Sequence, residues 1–294
     1  MRSLGRSILA LAALAPAIGA QQTPDWRTIT VQRQRHNDDS LRVRVDYGAG
    51  RLTIGAAAQP LLYDVHVRFD PARFRPRARY DASTRTLRVS SDSVGNIFNF
   101  GRHAGAGDES GSRGGGTPSD ITVGLARGIP LDLRLQVGAA ETEIDLSNLW
   151  VDRLHMQTGA SDTRITFGTP NPRPMRELII ESGAAGMELR QAGNAHAERV
   201  RITTGAGDCS VDLAGDWTGT TQVDLTVVLG HVTLRVPRDA GVRVTLSKRI
   251  ASVDQTGLVE KDGALESPDY ASAKRKLVVD GTATVGGVDI EWGS

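Results

Sequence analysis

Hydrophobic and polar residues alternate along most of the chain in short runs, each interrupted by a turn that in most cases contains Gly-Ala. The clearest run is 200–214, VRITTGAGDCSVDLA. Strict alternation places successive side chains on opposite faces of a strand, so this run predicts two short β-strands joined by a turn. Further copies of the pattern lie at 41–55, 133–146, 154–167, 178–190, 223–236 and 277–292.

The spacing of these copies predicts how they assemble. Equivalent apolar positions recur every 21 to 24 residues, at Ile144, Ile165, Leu189, Val211 and Leu234. This period is typical of stacked repeats, in which one unit cannot bury its apolar face without its neighbours. The sequence therefore predicts an all-β, single-domain parallel β-solenoid, similar to a β-helix, with turns of roughly 21–24 residues.

Three columns of equivalent positions after the turn show which side chains face inward. The column that comes two residues before the recurring anchor contains Leu52, Thr142, Thr163, Met187, Cys209, Val232 and Val288. The anchor column itself contains Ile54, Ile144, Ile165, Leu189, Val211, Leu234 and Ile290. We expect both columns to be buried. The column between them is polar and is expected to face solvent, with Thr53, Glu143, Arg164, Glu188, Ser210, Thr233 and Asp289.

The copies are flanked by segments of different composition. Residues 1–20 are expected to be a signal peptide, 21–91 the N-terminal strands and a strand-rich cap, and 92–120 a Gly-rich flexible loop. Residues 121–294 are expected to form the solenoid repeats and a C-terminal cap. Within this last region, 277–292 is expected to close the C-terminal end, with Trp292 packed as a lid.

Composition limits where in the cell the protein is expected and which classes of partner it is expected to bind. Arg2 and Arg6 precede a short apolar run that ends at Gly19-Ala20, which predicts export to the periplasm or the cell exterior, and no later run predicts a membrane span. Loss of these two arginines leaves 33 of 35 basic residues against 34 acidic ones, a net charge of −1, which argues against nucleic acid as a partner. The single cysteine, Cys209, excludes an intrachain disulfide and is expected to be a small buried side chain.

Several segments together resemble a known family. They are LRVRVDYGAGRLTIG at 41–55, the FRPRARYD segment, the stretch beginning PLDLRLQVGAAETEIDLSNLW, and SPDYASAKRKL followed by ATVGGVDI. In these the chain resembles the toastrack family and the DUF4097 adhesin-like β-repeats, related to the C-terminal domain of LiaF-type cell-wall stress proteins. The resemblance implies the solenoid fold over nearly all of the mature chain. It supplies no catalytic motif, and the sequence lacks the membrane helices of LiaF-type proteins.

The search for chemistry yields no catalytic, cofactor or metal motif. The six histidines stand singly, without the spacing of metal ligands. A single calcium site that includes Asp162 or Asp208 stays open as an alternative. A polysaccharide-active enzyme is a further alternative, since outward charges lie along one side at Asp145, Asp212, Arg164, Arg190 and Arg235.

The leading hypothesis is a non-catalytic, exported protein of the cell envelope, an adhesin-like binding or envelope-stress module whose partner is an envelope glycan or protein. A purely structural periplasmic role is the third hypothesis. The sequence does not indicate an oligomeric state. The candidate binding residues are the aromatic and basic side chains expected at outer positions, Phe98, Trp150, Trp217, Arg164, Arg190 and Arg235. Trp150 and Trp217 are equally consistent with packing over the edges of the solenoid turns.

Overall fold

The computed structural model describes residues 25–93, 119–184, 186–217, 219–255 and 257–293. These residues form seventeen β-strands and one 3-10 helix, Ala192–Ala195. In chain order the strands are β1 (Arg27–Gln34), β2 (Leu41–Ala56), β3 (Leu61–Phe69), β4 (Phe74–Asp81), β5 (Thr86–Ser93), β6 (Ser119–Leu125), β7 (Pro130–Asp145), β8 (Trp150–Thr158), β9 (Thr163–Thr166), β10 (Met175–Ala184), β11 (Met187–Arg190), β12 (Ala197–Asp212), β13 (Thr220–Val236), β14 (Gly241–Gln255), β15 (Val259–Lys261), β16 (Ala264–Glu266) and β17 (Lys276–Trp292).

The long strand β7 shows how a strand folds around the core at a glycine turn. In β7 the odd-numbered residues 131 to 137 are buried, whereas after Gly138 and Ala139 the even-numbered residues 140 to 144 are buried. This change of phase is what a strand needs if both of its halves are to point their apolar side chains at one interior. We call each such pair of halves a rung, with a pre-turn half and a post-turn half.

The rungs stack in parallel and in register, which confirms the predicted parallel β-solenoid. Thr142 is paired with Leu52 on one side and Thr163 on the other, and the same column continues through Met187 and Cys209. The described residues contain nine rungs, about 38 Å along the stack at 4.8 Å per step. Their order is β5 with β6, β2, β7, β8 with β9, β10 with β11, β12, β13, β17 and β14.

The inward columns form one continuous core. Both columns that the sequence predicts to be buried are buried at every position, from Leu52 and Ile54 to Val288 and Ile290. The column between them is half-buried or exposed throughout, as predicted. The core therefore runs along the stack, and the rungs contribute equivalent positions to it wherever their side chains are described.

The order of the rungs differs from the order of the chain at both ends. The last strand, β17, lies between β13 and β14 and pairs with both, so the expectation that 277–292 closes the C-terminal end is wrong. At the other end β5 and β6 together form the outermost rung, and β2 lies inside it. A strand paired on both sides forms backbone hydrogen bonds along both of its edges. We therefore expect β2 and β17 to be held more firmly than they would be as the end rungs of the stack.

Antiparallel strands cover both ends of the stack. At the N-terminal end, β4 pairs with β5, β3 pairs with β6, and β1 pairs with β3. At the C-terminal end, β16 pairs with β14, and β15 pairs with β16. Of the region 21–91, then, β1, β3 and β4 form the covering layer, whereas β2 and β5 are rungs. The predicted loop 92–120 begins in β5 and ends in β6, and its residues 94–118 lie outside the described residues.

The turn glycines form a ladder that fixes how closely the rungs approach. A Cβ atom placed on Gly138 would lie 2.4 Å from the carbonyl oxygen of Gly48, and one on Gly205 would lie 2.5 Å from the carbonyl oxygen of Gly183. Real Cβ atoms do not tolerate such distances, so backbone meets backbone at these corners. Glycine is required here for close approach.

Replacing Gly205 with alanine tests this ladder. We expect the added Cβ to push the β12 turn away from Gly183 and to lower the free energy of unfolding by about 1–3 kcal/mol. The matched control is Gly55→Ala, whose Cβ would lie 3.8 Å from the nearest atom, the carbonyl oxygen of Asp145. Urea unfolding of the two variants checks the prediction, and equal stabilities would contradict it.

Candidate functional site

A shallow groove of about 390 Å³ crosses the outward face of the post-turn halves of five successive rungs. We call it the post-turn groove. Its polar lining consists of Glu141, Glu143, Asp162, Arg164, Glu188, Asp208, Ser210, His231 and Thr233. Its floor is formed by residues whose side chains point inward and are buried, Thr142, Thr163, Met187 and Cys209.

The groove exists because one rung lacks a side chain in its outermost column. Gly186 occupies the position that Asp162 and Asp208 fill in the neighbouring rungs. The Gly186 amide donates a hydrogen bond to Asp162 Oδ1, at 3.2 Å. The missing side chain leaves a notch between the carboxylates of Asp162 and Asp208. The Gly186 amide in this notch already donates its hydrogen bond to Asp162.

Ion pairs organise the centre of the groove around Glu188. Its two carboxylate oxygens accept from Arg164 Nε at 2.8 Å and from Arg190 Nε at 2.6 Å. The hydrogen bond from Arg190 is the main cause that lowers the pKa of Glu188, and Arg164 adds to it. At the edge of the groove, Arg51 donates to Glu141 at 2.7 Å. These charges are satisfied within the protein.

A second depression of about 280 Å³ adjoins the groove and contains the other predicted arginines. Here Arg190, Asp212, Arg235 and Glu291 follow one another in register across β11, β12, β13 and β17. Arg235 lies 3.4 Å from Glu291 and donates to Ser210 Oγ at 3.1 Å. The signs alternate along the column, so each arginine is flanked by a carboxylate.

The structure brings three of the predicted binding residues together and separates the others. Arg164, Arg190 and Arg235 share the outward post-turn face. Trp150 lies at the start of β8, half-buried, with the Arg173 guanidinium 5.3 Å from its ring centre. Phe98 lies outside the described residues.

Trp217 requires a correction, because it does not belong to a surface strip. It is only 3% exposed, its indole N–H donates to the carbonyl oxygen of Leu213, and its ring lies against Gly193 of the 3-10 helix. The connection after β12 turns inward and buries the ring, where its polar edge finds a backbone acceptor. Trp217 is thus a packing residue of the rung edge, and the predicted aromatic strip does not form through it.

The floor of the groove contains the only cysteine. Cys209 is 2% exposed, between Met187 and Val232 in its column. Burial raises the pKa of its thiol to about 11. The side chain behaves as the small hydrophobe that the sequence analysis expects.

Neither the histidines nor the carboxylates gather into a recognisable metal centre in the part of the chain that the structure describes. No group of three or more His, Cys, Asp or Glu side chains with metal-binding geometry is found among these residues. His231 instead pairs with Asp289 of the next rung, at 2.8 Å. Among the described residues, no helix is long and apolar enough to cross a membrane.

The binding residues predicted from the sequence include no arginine from the outward face of the pre-turn halves. There Arg79 of β4, Arg88 of β5, Arg44 of β2 and Arg134 of β7 are paired in register, one beside the next. We call these four residues the arginine row. The one signal in the sequence is the alternation Arg75, Arg77, Arg79 in the FRPRARYD segment, because the partners come from distant parts of the chain.

Comparison with protein families identifies the relatives of this chain. A family model described as the N-terminal domain of toast_rack, DUF2154, matches residues 20–190, more than half of the chain. The chain belongs to the toast-rack family. A second model, described as the C-terminal part of the cell wall-active antibiotics response protein LiaF, matches residues 186–290. The toast-rack chain therefore has a LiaF-like second part, which confirms the predicted relationship.

Solved structures of low identity also align with this toast-rack protein. A candidate cell adhesion protein from Clostridium sporogenes is 15% identical, with a TM-score of 0.44, over 92% of this chain and 100% of its own. Candidate adhesins from Bacteroides fragilis and Parabacteroides distasonis are 13% and 10% identical, with TM-scores of 0.32 and 0.38; they cover 90% and 91% of this chain and 97% and 98% of their own. No curated protein matches the chain.

The burial of Cys209 predicts an inert thiol in the native protein. At pH 8, we expect a disulfide reagent to label it roughly 100-fold more slowly than in the urea-unfolded chain, because burial blocks access and the raised pKa suppresses the thiolate. Stopped-flow labelling measures both rates. Equal rates would show that the groove floor is open.

The ion pairs of Glu188 predict a pH-dependent effect of the Glu188→Gln variant. Because the pKa of this carboxyl is lowered from 4.5 in the folded state, its stabilising contribution is present at neutral pH and is lost as pH falls through the lowered value. We expect the variant to be less stable than the parent at pH 7, by at most about 1 kcal/mol for so exposed a group, and equal to it in strong acid. Urea unfolding across this pH range measures the difference.

Glu143→Gln is the control for this experiment. Glu143 lies on the same outward face, and the described residues give it no hydrogen bond or ion pair. Because Glu143 interacts with Arg164 only through unpaired charge, its variant should lose less stability at pH 7 than Glu188→Gln does. A Glu188→Gln deficit that persists in acid would contradict the assignment to charge pairing.

Proposed function

We propose that this protein is an exported, non-catalytic binding module of the bacterial cell envelope, which holds an envelope component on the outward faces of its stacked rungs. The proposal rests on one observation: outward side chains at equivalent positions of successive rungs lie in register and form columns on the surface. Side chains from as many as five successive rungs line one shallow groove, on a backbone fixed by continuous ladders of hydrogen bonds. A rigid, extended surface of this kind suits a long ligand that makes many weak contacts.

The electrostatics of the post-turn groove favour binding over catalysis. A polysaccharide hydrolase needs a carboxylic acid that stays protonated near neutral pH, and thus a raised pKa. At the centre of the groove, Glu188 instead has a lowered pKa, because hydrogen bonds from Arg190 and Arg164 stabilise its charged form. The arginines of the groove are likewise engaged by carboxylates, as in a charge-balanced contact surface.

Family membership supports the place in the envelope. The model that matches residues 186–290 is described as the C-terminal part of LiaF, a cell wall-active antibiotics response protein. Export rests on residues 1–20, whose two arginines, apolar run and small-residue end have the features of a cleavable signal peptide.

The test is direct binding of the purified protein to insoluble envelope material. We expect saturable co-sedimentation, no release of soluble sugar fragments, and loss of binding when the protein is unfolded beforehand. Protein recovered from the exported fraction should begin at Gln21. Release of sugar fragments would show that the protein is an enzyme and not a binding module. Co-sedimentation that is absent or does not saturate would contradict the proposed binding function.

A further inference from the structure

The arginine row departs from the way this protein arranges most of its surface charges, since like charges occur elsewhere as a pair, Asp224 with Asp280, but here in a run of four. Arg79 faces Arg88 across the antiparallel β4–β5 pair, and Arg88, Arg44 and Arg134 follow in parallel register. Neighbouring strands are about 4.8 Å apart, so four cationic side chains span about 14 Å on one face. Arg79, Arg88 and Arg134 are exposed, and Arg44 is half-buried.

The adjacent column on the same face shows the usual arrangement. Two residues earlier along the rungs, Arg42, Asp132, Arg153, Glu177 and Arg199 follow in register with strictly alternating signs. Arg153 lies 3.2 Å from Glu177 and 4.0 Å from Asp132. Stacking in register thus pairs opposite charges in this column.

Charge pairing within the described residues does not neutralise the arginine row. Arg79, Arg88 and Arg44 make no hydrogen bond or ion pair there, and Arg134 donates to the ring nitrogen Nδ1 of His155, at 3.3 Å. Like charges directly opposite each other on neighbouring strands destabilise a sheet. The row therefore opposes folding to a small extent, which is the behaviour of residues arranged for a ligand.

We propose that the arginine row binds a linear polysaccharide bearing carboxylate or phosphate groups, laid along the stack and across the strands. Guanidinium groups form paired hydrogen bonds with both kinds of anion, and a one-dimensional row at regular spacing matches a chain with regularly repeated charges. The inference rests on the proposed envelope-binding function and assigns a face and a ligand class to it.

Two other polyanions fit the row less well. Single-stranded nucleic acid binds on aromatic platforms that stack its bases, and the row consists of arginines without an aromatic member. An anionic membrane favours a broad basic surface with apolar side chains that insert. This row has no apolar member that could insert, and Asp46 lies two residues beyond Arg44 on the same face of β2.

The experiment compares two double variants with the same change in net charge. Arg44→Gln with Arg88→Gln removes the centre of the row, whereas Arg199→Gln with Arg201→Gln removes two outward arginines from the same face of β12. Binding to polygalacturonate, to a phosphodiester-linked glycan, to neutral dextran, to anionic lipid vesicles and to single-stranded DNA is measured by titration. Thermal unfolding of each protein is recorded in parallel.

We expect the parent to bind at least one anionic glycan and not dextran. The row variant should bind at least about tenfold more weakly, while the β12 control stays within about twofold of the parent. The row variant should also be as stable as the parent or more stable, because repulsion is relieved. Which glycan binds distinguishes carboxylate from phosphate recognition.

Other outcomes overturn the proposal. An equal loss of glycan binding in both double variants would show that binding depends on net charge and not on the row. Tighter binding of the parent to vesicles or to DNA than to the glycans would assign the row to those partners. Envelope material serves as a separate arm of the experiment. If the row variant still co-sediments with it as the parent does, the arginine row is rejected and the envelope-binding function stands; if the parent itself fails to co-sediment, the function is rejected as well.

Discussion

Parallel, in-register stacking is the constraint on which the rest of this structure depends. It places the same position of every rung in one column, about 4.8 Å apart, so a residue type must be compatible with itself or with its neighbours above and below. Apolar columns become a continuous core. Glycine columns let the turns approach, as Gly205 does over Gly183, and charged columns are stable when their signs alternate, as around Glu188. The arginine row breaks this last requirement over four successive strands, whereas Asp224 and Asp280 break it only as a pair.

Much of the fold can be predicted from the sequence, because the repeat shows which positions of successive rungs lie in one column. The period of 21 to 24 residues and the two apolar columns predict the rungs and their register, and the buried side chains agree at each predicted position. Arg164, Arg190 and Arg235 are also found on one outward face, since alternation within a strand fixes which side a residue points to.

The remaining features depend on which rungs are neighbours, and the repeat does not specify this. Sequential strands are adjacent in most proteins, so chain order predicts β17 at the end of the stack. In the structure β17 lies between β13 and β14, and β2 lies inside the rung formed by β5 and β6. The arginine row depends on that second exchange, because Arg88 joins Arg44 only when β5 stacks on β2. Trp217 is buried by a connection that lies outside the repeat and follows no periodic rule.

Disulfide trapping at the C-terminal rungs tests the exchanged stacking most directly. Asp280 of β17 is paired in register with Thr245 of β14 on one side and with Asp224 of β13 on the other. Adjacent strands meet the Cα separation that a disulfide needs, whereas residues two rungs apart, at about 9.6 Å, do not. We expect cysteines at 245 and 280 to cross-link under mild oxidation and cysteines at 224 and 245 not to do so. The reverse result would place β14 directly on β13 and contradict the stacking from which the surface columns are derived.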